Sequence, residues 1–182
     1  MQIRRLLPSV CVSIALVLLT SVTAFASHSE RDSRGRPLHW SRSGTALAQV
    51  YFVDHTGARW PVTRSVWKWN TSSRVKSYYE SRCPSSGLHC VNVSEYNRAD
   101  GNYGLAELRW DGSAHFTYAA VYLNDRYRPG AADDRQTVCQ ETGHVLGLDH
   151  QRSSTSCMDD TTHNVQYPNS HDYGQLAAVY NH

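Results

Sequence analysis

The segment Cys139–Gln151, which reads CQETGHVLGLDHQ, constrains this chain more than any other part of it. Gln140 and His144 are four residues apart, so on a helix their side chains project from one face, one turn above the other. Glu141 lies beside them. The segment therefore predicts a helix that brings an amide, an imidazole and a carboxylate to one point.

The residues on either side set the bounds of this predicted helix. Asp133 and Gln136 have the spacing of an N-terminal capping box, and we expect the helix to span about 134–146. Gly147 follows the last turn, where a left-handed residue can end a helix and turn the chain away sharply. His150 would then approach the same point from outside the helix.

These side chains are suited to a metal ion with catalytic activity. Gln140, His144 and His150 supply three ligands and leave a fourth position open, which is the arrangement of a catalytic rather than a structural zinc. Glu141, which is not a ligand, would take a proton from water while the metal polarises a substrate carbonyl. The pattern predicts zinc-dependent hydrolysis.

Two segments resemble the metzincin zinc metalloproteases, and most closely their matrixin-like branch. The long zinc-protease pattern HExxHxxGxxH with its later Met-turn is matched at five positions: Glu141, His144, Gly147, His150 and Met158. Gln140 stands where the pattern has its first histidine. The ending PNSHDYGQLAAVY, residues 168–180, resembles the C-terminal helix that closes a matrixin catalytic domain.

The resemblance implies a fold, a cofactor and an activity. The fold would be α+β, a metzincin-like (zincin) catalytic domain with a twisted mixed sheet of about four or five strands, an active-site helix and a C-terminal helix. The cofactor would be Zn²⁺. The activity would be that of a secreted endopeptidase that hydrolyses peptide bonds with Glu141 as general base, and Met158 would lie in the turn beneath the metal.

Gln140 is the departure from the pattern that matters most. A glutamine carbonyl oxygen is neutral, like imidazole, but it is a poorer donor to zinc than nitrogen, so we expect weaker metal retention rather than its loss. Another side chain would complete the ligand set if Gln140 does not. Four residues are candidates for that position: His115, His163, His171 and Asp149.

The N-terminus predicts export. Residues 1–26 carry two arginines, an apolar stretch and a small-residue cleavage site, as a signal peptide does. Cys11 lies in the leader, which leaves four cysteines in an oxidising compartment. Proximity in sequence favours two disulfides, Cys83 with Cys90 and Cys139 with Cys157. We expect a secreted, extracellular protein.

The remaining chain predicts one domain. Residues 27–45 are polar and read as a flexible segment, and residues 46–182 form the metalloprotease domain. Removal of both leader arginines takes the formal charge from +2 to zero, 16 minus 16. No basic surplus argues for nucleic acid or an anionic membrane, so we expect a monomer that acts on a protein or peptide substrate and does not associate with a membrane after signal cleavage.

Residue patterns place the other elements coarsely. One helix is expected at 61–70, after a strand at 46–53. Further strands are expected at 89–93, 105–110 and 115–123. If the resemblance holds, the last of these strands forms the upper rim of the cleft and pairs with an extended peptide.

Three functions are consistent with the sequence. The first is the zinc endopeptidase. The second is a noncatalytic secreted binding protein that keeps the metzincin fold after losing the first histidine, and the third is a disulfide-stabilised structural protein without a metal. The presence of Glu141 favours the first function over the second, because a scaffold does not need a general base at that position.

Overall fold

A computed structural model describes residues 28–44, 46–85, 89–128 and 130–181. The predicted signal peptide, residues 1–26, lies outside the described residues. Within them, five strands and three helices follow one another as β1 (Ala48–Asp54), α1 (Val62–Trp69), β2 (Val75–Glu80), β3 (Cys90–Tyr96), β4 (Gly104–Trp110), β5 (Phe116–Asn124), α2 (Ala131–His144) and α3 (Ser170–Val179).

The strands form one mixed sheet in the order β2-β1-β3-β5-β4. Neighbouring strands run parallel except β4, which pairs antiparallel with β5. The predicted α+β class with a mixed sheet is therefore correct. The prediction that the strand at 115–123 borders the cleft is wrong, because β5 lies inside the sheet and β4 forms the edge.

Apolar alternation explains why the sheet has one buried face. Val50 and Phe52 of β1 are fully buried, whereas Gln49 between β1's inward residues is exposed. On α1, buried Val62 and Val66 lie one turn apart and face the sheet. The core therefore lies between one face of the sheet and the helices. The bounds predicted from the sequence for β1 and α1 are correct to within two residues at each end.

The segment 28–40, which we call the N-terminal strap, belongs to the folded domain. Leu38 and Trp40 are 1% and 2% exposed, and Ser29 forms an antiparallel bridge with Leu148 just after α2. The Trp40 indole also donates a hydrogen bond to the Val145 carbonyl, 2.8 Å away. The prediction of a flexible segment over 27–45 is thus wrong for residues 28–40. Burial of the Leu38 and Trp40 side chains fixes this segment despite its polar composition.

Helix α3 closes the domain behind α2. Asn169 caps its N-terminus, accepting hydrogen bonds from the backbone of His171 and Asp172, and the Asp172 carboxylate accepts one from the Asn169 backbone in return. Leu176 and Val179 pack into the core. No helix among the described residues has the length and apolar character needed to cross a membrane.

Both predicted disulfides are confirmed. Cys83 is linked to Cys90 at the start of β3, and Cys139 of α2 is linked to Cys157. The two differ in surroundings, since Cys139 and Cys157 are fully buried and Cys83 is exposed. Two structural disulfides fit a protein of an oxidising compartment.

Candidate metal centre

Helix α2 carries the candidate site, but it begins earlier than expected. It starts at Ala131 after Gly130, with no side-chain cap, so the predicted capping box of Asp133 and Gln136 is wrong. Gln136 instead binds a later loop, donating to the Thr161 carbonyl at 2.8 Å and accepting from the His163 backbone at 3.0 Å. The helix is therefore fixed from its side rather than capped at its end.

The His144 imidazole is held in one tautomer. Its Nδ1 lies 2.8 Å from the Leu148 carbonyl oxygen and 3.3 Å from Oε1 of Glu30. Both neighbours are acceptors, so Nδ1 must carry the proton, and in the neutral ring Nε2 keeps a free lone pair. Burial lowers the pKa of His144, but the carboxylates of Glu30 and Glu141 outweigh burial and raise it.

His150 meets His144 from outside the helix. Gly147 adopts a left-handed conformation, with φ of 106°, and a side chain there would collide with the Leu38 backbone. The turn brings Nε2 of His150 to 3.2 Å from Nε2 of His144. Burial and the neighbouring His144 lower the pKa of His150, although nearby carboxylates oppose the shift.

Gln140 lines the same cleft one helical turn before His144. Its Nε2 donates a hydrogen bond to the Asp159 carbonyl at 2.7 Å. Because the amide nitrogen is used in this way, the side-chain oxygen is the atom left for a metal or another donor. The hydrogen bond also links the helix to the turn that follows Met158.

Glu141 is almost completely buried, with 6% of its surface exposed, yet it lines the cleft. Among the described residues its carboxylate receives no hydrogen bond. A side chain on Gly104 of β4 would lie 2.6 Å from Cγ of Glu141, so glycine makes room for it. Burial raises the pKa of Glu141 to about 7, opposed by the positive charge of His144.

Met158 packs beneath the helix at the level of the histidines. A side chain at Gly143 would collide with the Met158 sulfur and with Trp69, so the three residues form one close contact. The Met158 carbonyl accepts a hydrogen bond from the Gln151 backbone at 2.8 Å. The residue after His150 is thereby joined to the turn below it.

A buried carboxylate on α3 supports this loop. Asp172 is fully buried and accepts hydrogen bonds from Nε2 of Gln151 at 3.0 Å and from the Ser156 hydroxyl at 2.6 Å. The Ser156 hydroxyl in turn accepts a hydrogen bond from the Met158 backbone at 2.9 Å. Helix α3 therefore holds the loop on both sides of its turn.

The site opens into a cleft of about 490 Å³ between α2 and the edge strand β4. Its β4 wall comprises residues 104–106. Among the described residues, its lining contains four carboxylates but no lysine or arginine. These carboxylates belong to Glu30, Glu141, Asp149 and Asp160. Such a lining favours a cation in the cleft.

The alternative ligands are mostly placed elsewhere. His115 packs against His39, with ring centroids 4.8 Å apart, and His171 stacks on His28 at the same spacing. His163 also does not line the cleft, whereas Asp149 does. The Asp149 carboxylate accepts a hydrogen bond from the His150 backbone at 2.7 Å.

The residues present fit one zinc ion. Two imidazole nitrogens on a tetrahedral zinc, each about 2.0–2.1 Å from the metal, lie about 3.3 Å apart, close to the 3.2 Å between the His144 and His150 nitrogens. Among the described residues, no three histidine, cysteine, aspartate or glutamate side chains are grouped to hold a metal. The Gln140 oxygen, which the hydrogen bond to Asp159 does not use, is the candidate third donor.

Sequence reasoning found the helix residues of the site but missed three others. Glu30 lies in a polar segment without periodicity, Asp172 lies on a different helix, and Gly104 is an ordinary strand glycine until Glu141 is placed against it. The Asn169–Asp172 spacing does match a capping box, and that signal was available for Asp172. Nothing comparable marks Glu30.

Comparisons with known proteins establish similarity of fold only. No protein-family model matches the sequence, and neither does any curated protein. Among solved structures, one similar chain comes from the "GM1 bound form of the ECX AB5 holotoxin", at 14% sequence identity and a TM-score of 0.56. The match covers 85% of this chain and 88% of that chain. At this identity, the likeness shows a shared fold and does not transfer the toxin's binding to this chain.

Proposed function

We propose that this protein is an exported, zinc-dependent endopeptidase of the metzincin-like type. One observation carries the proposal: the Nε2 atoms of His144 and His150 converge to 3.2 Å beside the buried carboxylate of Glu141, in an open cleft. His144 and His150 would hold the ion, with the Gln140 oxygen as third ligand. Bound zinc would polarise the scissile carbonyl and make water a better nucleophile.

Glu141 has the properties of a general base. It lies on the same helix as His144, it lines the cleft, and its burial raises its pKa to about 7, near neutral pH. In the proposed reaction Glu141 takes a proton from the attacking water and passes it to the leaving amine. The Nδ1–H of His144 stays on the Leu148 carbonyl throughout, which keeps Nε2 directed at the cleft.

The substrate would be an extended peptide or an unfolded protein. Strand β4 is an edge strand of the sheet and borders the cleft with residues 104–106. Edge strands carry unpaired backbone donors and acceptors, so a peptide can add as a further strand and place its scissile bond near Glu141. Leu105 is 50% exposed on this strand and offers apolar contact.

The mature chain would act outside the cell. The two disulfides support this location, since such bonds persist in oxidising compartments. The N-terminal signal-peptide pattern of residues 1–26 supports it independently.

The test compares wild type with Glu141→Gln. Zinc content and folding of the two proteins should be equal, because Glu141 is not a ligand, whereas cleavage of unfolded casein should fall by about 10²–10⁴-fold in the variant. Glu80→Gln, on the exposed end of β2, serves as the matched control and should cleave like wild type. A chelator should stop cleavage. Equal cleavage rates for zinc-loaded wild type and Glu141→Gln across a broad peptide library would overturn the proposal that the protein is a protease.

Gln140 supports a second candidate, a noncatalytic binding protein of the same fold. Its amide is already bound to the Asp159 carbonyl, an arrangement compatible with a purely structural role. The comparison of wild type with Glu141→Gln separates the two candidates, and substitutions of Gln140 test its role as a ligand. If Gln140 is a ligand, Gln140→His should tighten zinc binding and Gln140→Ala should weaken it; identical zinc dissociation constants for all three proteins would assign the third ligand elsewhere.

A further inference from the structure

We propose that Glu30 is a positioning residue of the zinc site, so that the N-terminal strap forms part of the metal centre. The inference rests on the proposed zinc function. The observation behind it is the contact between Oε1 of Glu30 and Nδ1 of His144, at 3.3 Å. Glu30 is 114 residues from His144 in the sequence and also lines the cleft.

The backbone of Glu30 is fixed on both sides. Its N–H donates to the Gly147 carbonyl at 3.0 Å, and its carbonyl accepts from the Leu38 N–H at 2.8 Å. Two residues earlier in the strap, the His28 carbonyl accepts a hydrogen bond from the Asp149 N–H at 2.6 Å. The Glu30 backbone is therefore fixed against the turn that joins His144 and His150. Its carboxylate loses little conformational freedom when it contacts His144.

The strap is anchored at its other end as well. The Trp40 side chain is buried, and its indole N–H donates to the carbonyl of Val145, the residue after His144. The strap thus contacts the end of α2, the glycine turn and the residue before His150. These are the parts of the chain that set the direction of the two imidazoles.

The chemistry of the contact suits a metal ligand. A ligating histidine commonly donates its other ring N–H to a carboxylate or a carbonyl, which fixes the ring and raises the basicity of the ligating nitrogen. His144 has both partners, the Leu148 carbonyl and the Glu30 carboxylate. The carbonyl alone fixes the tautomer; the negative charge of Glu30 adds basicity at Nε2 and balances the charge of a bound cation.

The experiment measures zinc dissociation constants by competition with a chelator for the folded, full-length mature chain. Glu30→Ala should weaken zinc binding by about 10–100-fold, and Glu30→Gln, which keeps an acceptor without the charge, by less. The matched comparison is Asp160→Asn, which removes a carboxylate of the same cleft that does not contact His144 and should therefore weaken zinc binding less than Glu30→Ala does. Glu80→Gln, on the exposed end of β2, is the control that should bind zinc as wild type does. Circular dichroism verifies that each variant is folded.

A second measurement separates positioning from general stabilisation. In the metal-free protein, the Nδ1–H resonance of His144 in nitrogen-edited NMR should move in both Glu30 variants and stay in place in Asp160→Asn. If Glu30→Ala is unfolded, Glu30→Gln carries the test with the same two readouts.

The outcomes are distinct. If wild type, Glu30→Ala and Glu30→Gln all bind zinc equally well, the inference is overturned and the proposed function stands. An equal loss in Asp160→Asn also overturns it, because cleft charge alone would then explain the effect. Wild type that binds no zinc overturns the proposed function, and the inference with it.

Discussion

The two disulfide-closed segments of this domain have the same chemistry and different consequences. One disulfide links Cys83, which is exposed, to Cys90, the first residue of β3. The segment 139–157 contains Glu141, His144 and His150, and both of its cysteines are fully buried. Loop-closure entropy alone makes the two bonds similar, at about 2 and about 3 kcal/mol for separations of 7 and 18 residues.

The difference lies in what each bond is attached to. Cys157 immediately precedes Met158, which contacts α2 at Gly143, so the buried disulfide and this contact join the same two pieces of chain. Neither cysteine of the exposed disulfide lines the cleft. A disulfide therefore stabilises a site only when it constrains the atoms that the site uses.

Removing the buried disulfide should have the largest effect. The double substitution Cys139→Ala with Cys157→Ala should lower the free energy of unfolding by about 4–5 kcal/mol, combining lost loop constraint with a cavity in the core. Zinc affinity should fall as well, because Met158 and the turn at Asp159 are no longer held under α2. Denaturant unfolding and zinc titration measure the two effects; unchanged zinc affinity in a folded variant would contradict the proposed link.

The next effect concerns Glu141 and depends on pH. Its pKa in the folded, metal-free protein is about 7, above the ordinary value of 4.5, so folding favours the protonated form. Its contribution to stability is fully present below pH 4.5 and is lost as pH rises through 7. Relative to Glu141→Gln, the free energy of unfolding of wild type should fall by about 3 kcal/mol at most over this pH range.

Unfolding with a chelator present, measured at a series of pH values, tests this dependence. Wild type and Glu141→Gln should diverge as pH rises, and Glu80→Gln should follow wild type. Parallel curves for wild type and Glu141→Gln would show that the buried carboxylate is not desolvated as its position implies.

Substitution of Asp172, which supports the same segment, should have a smaller effect on the free energy of unfolding. Asp172→Asn keeps the size of the side chain but replaces one acceptor oxygen with a donor, which leaves a buried donor in the network of Gln151 and Ser156 without a partner. We expect a loss of about 2 kcal/mol in unfolding free energy. Asp133→Asn, at the partly exposed start of α2, is the control and should change little; an equal loss in both would count against the network.

The smallest effect on the site is expected for removal of the surface disulfide. Cys83→Ala with Cys90→Ala should lower the free energy of unfolding by about 2 kcal/mol and leave zinc affinity unchanged. A marked loss of zinc affinity in this variant would break the comparison, because it would mean that the sheet transmits the change to the cleft.

The site residues on α2 were predictable because helical spacing is local. Gln140, Glu141 and His144 reach one cleft by the geometry of a single helix, and His150 follows from the glycine turn. The pairing of the four cysteines was also predictable from short separations. Zinc binding and peptidase activity stay predictions.

The errors share a physical cause, which is that distant contacts decided the outcome. β2 was not predicted, since VKSYYE has one inward valine and relies on pairing with β1 for its conformation. The N-terminal strap was expected to be mobile on composition, but Leu38 and Trp40 bury it. No local pattern reveals that Glu30 meets a histidine 114 residues away.

The strap and α3 also determine when the site is complete during synthesis. Glu30 emerges from the ribosome early, whereas Asp172, which holds Gln151 and Ser156, emerges after every proposed ligand. Contacts over such separations form late in folding, because the intervening chain must first close. A nascent chain lacking α3 therefore has its histidines but not the support that aligns them. If the chain is a protease, we expect its site to be aligned only after α3 has been synthesised and has packed behind α2.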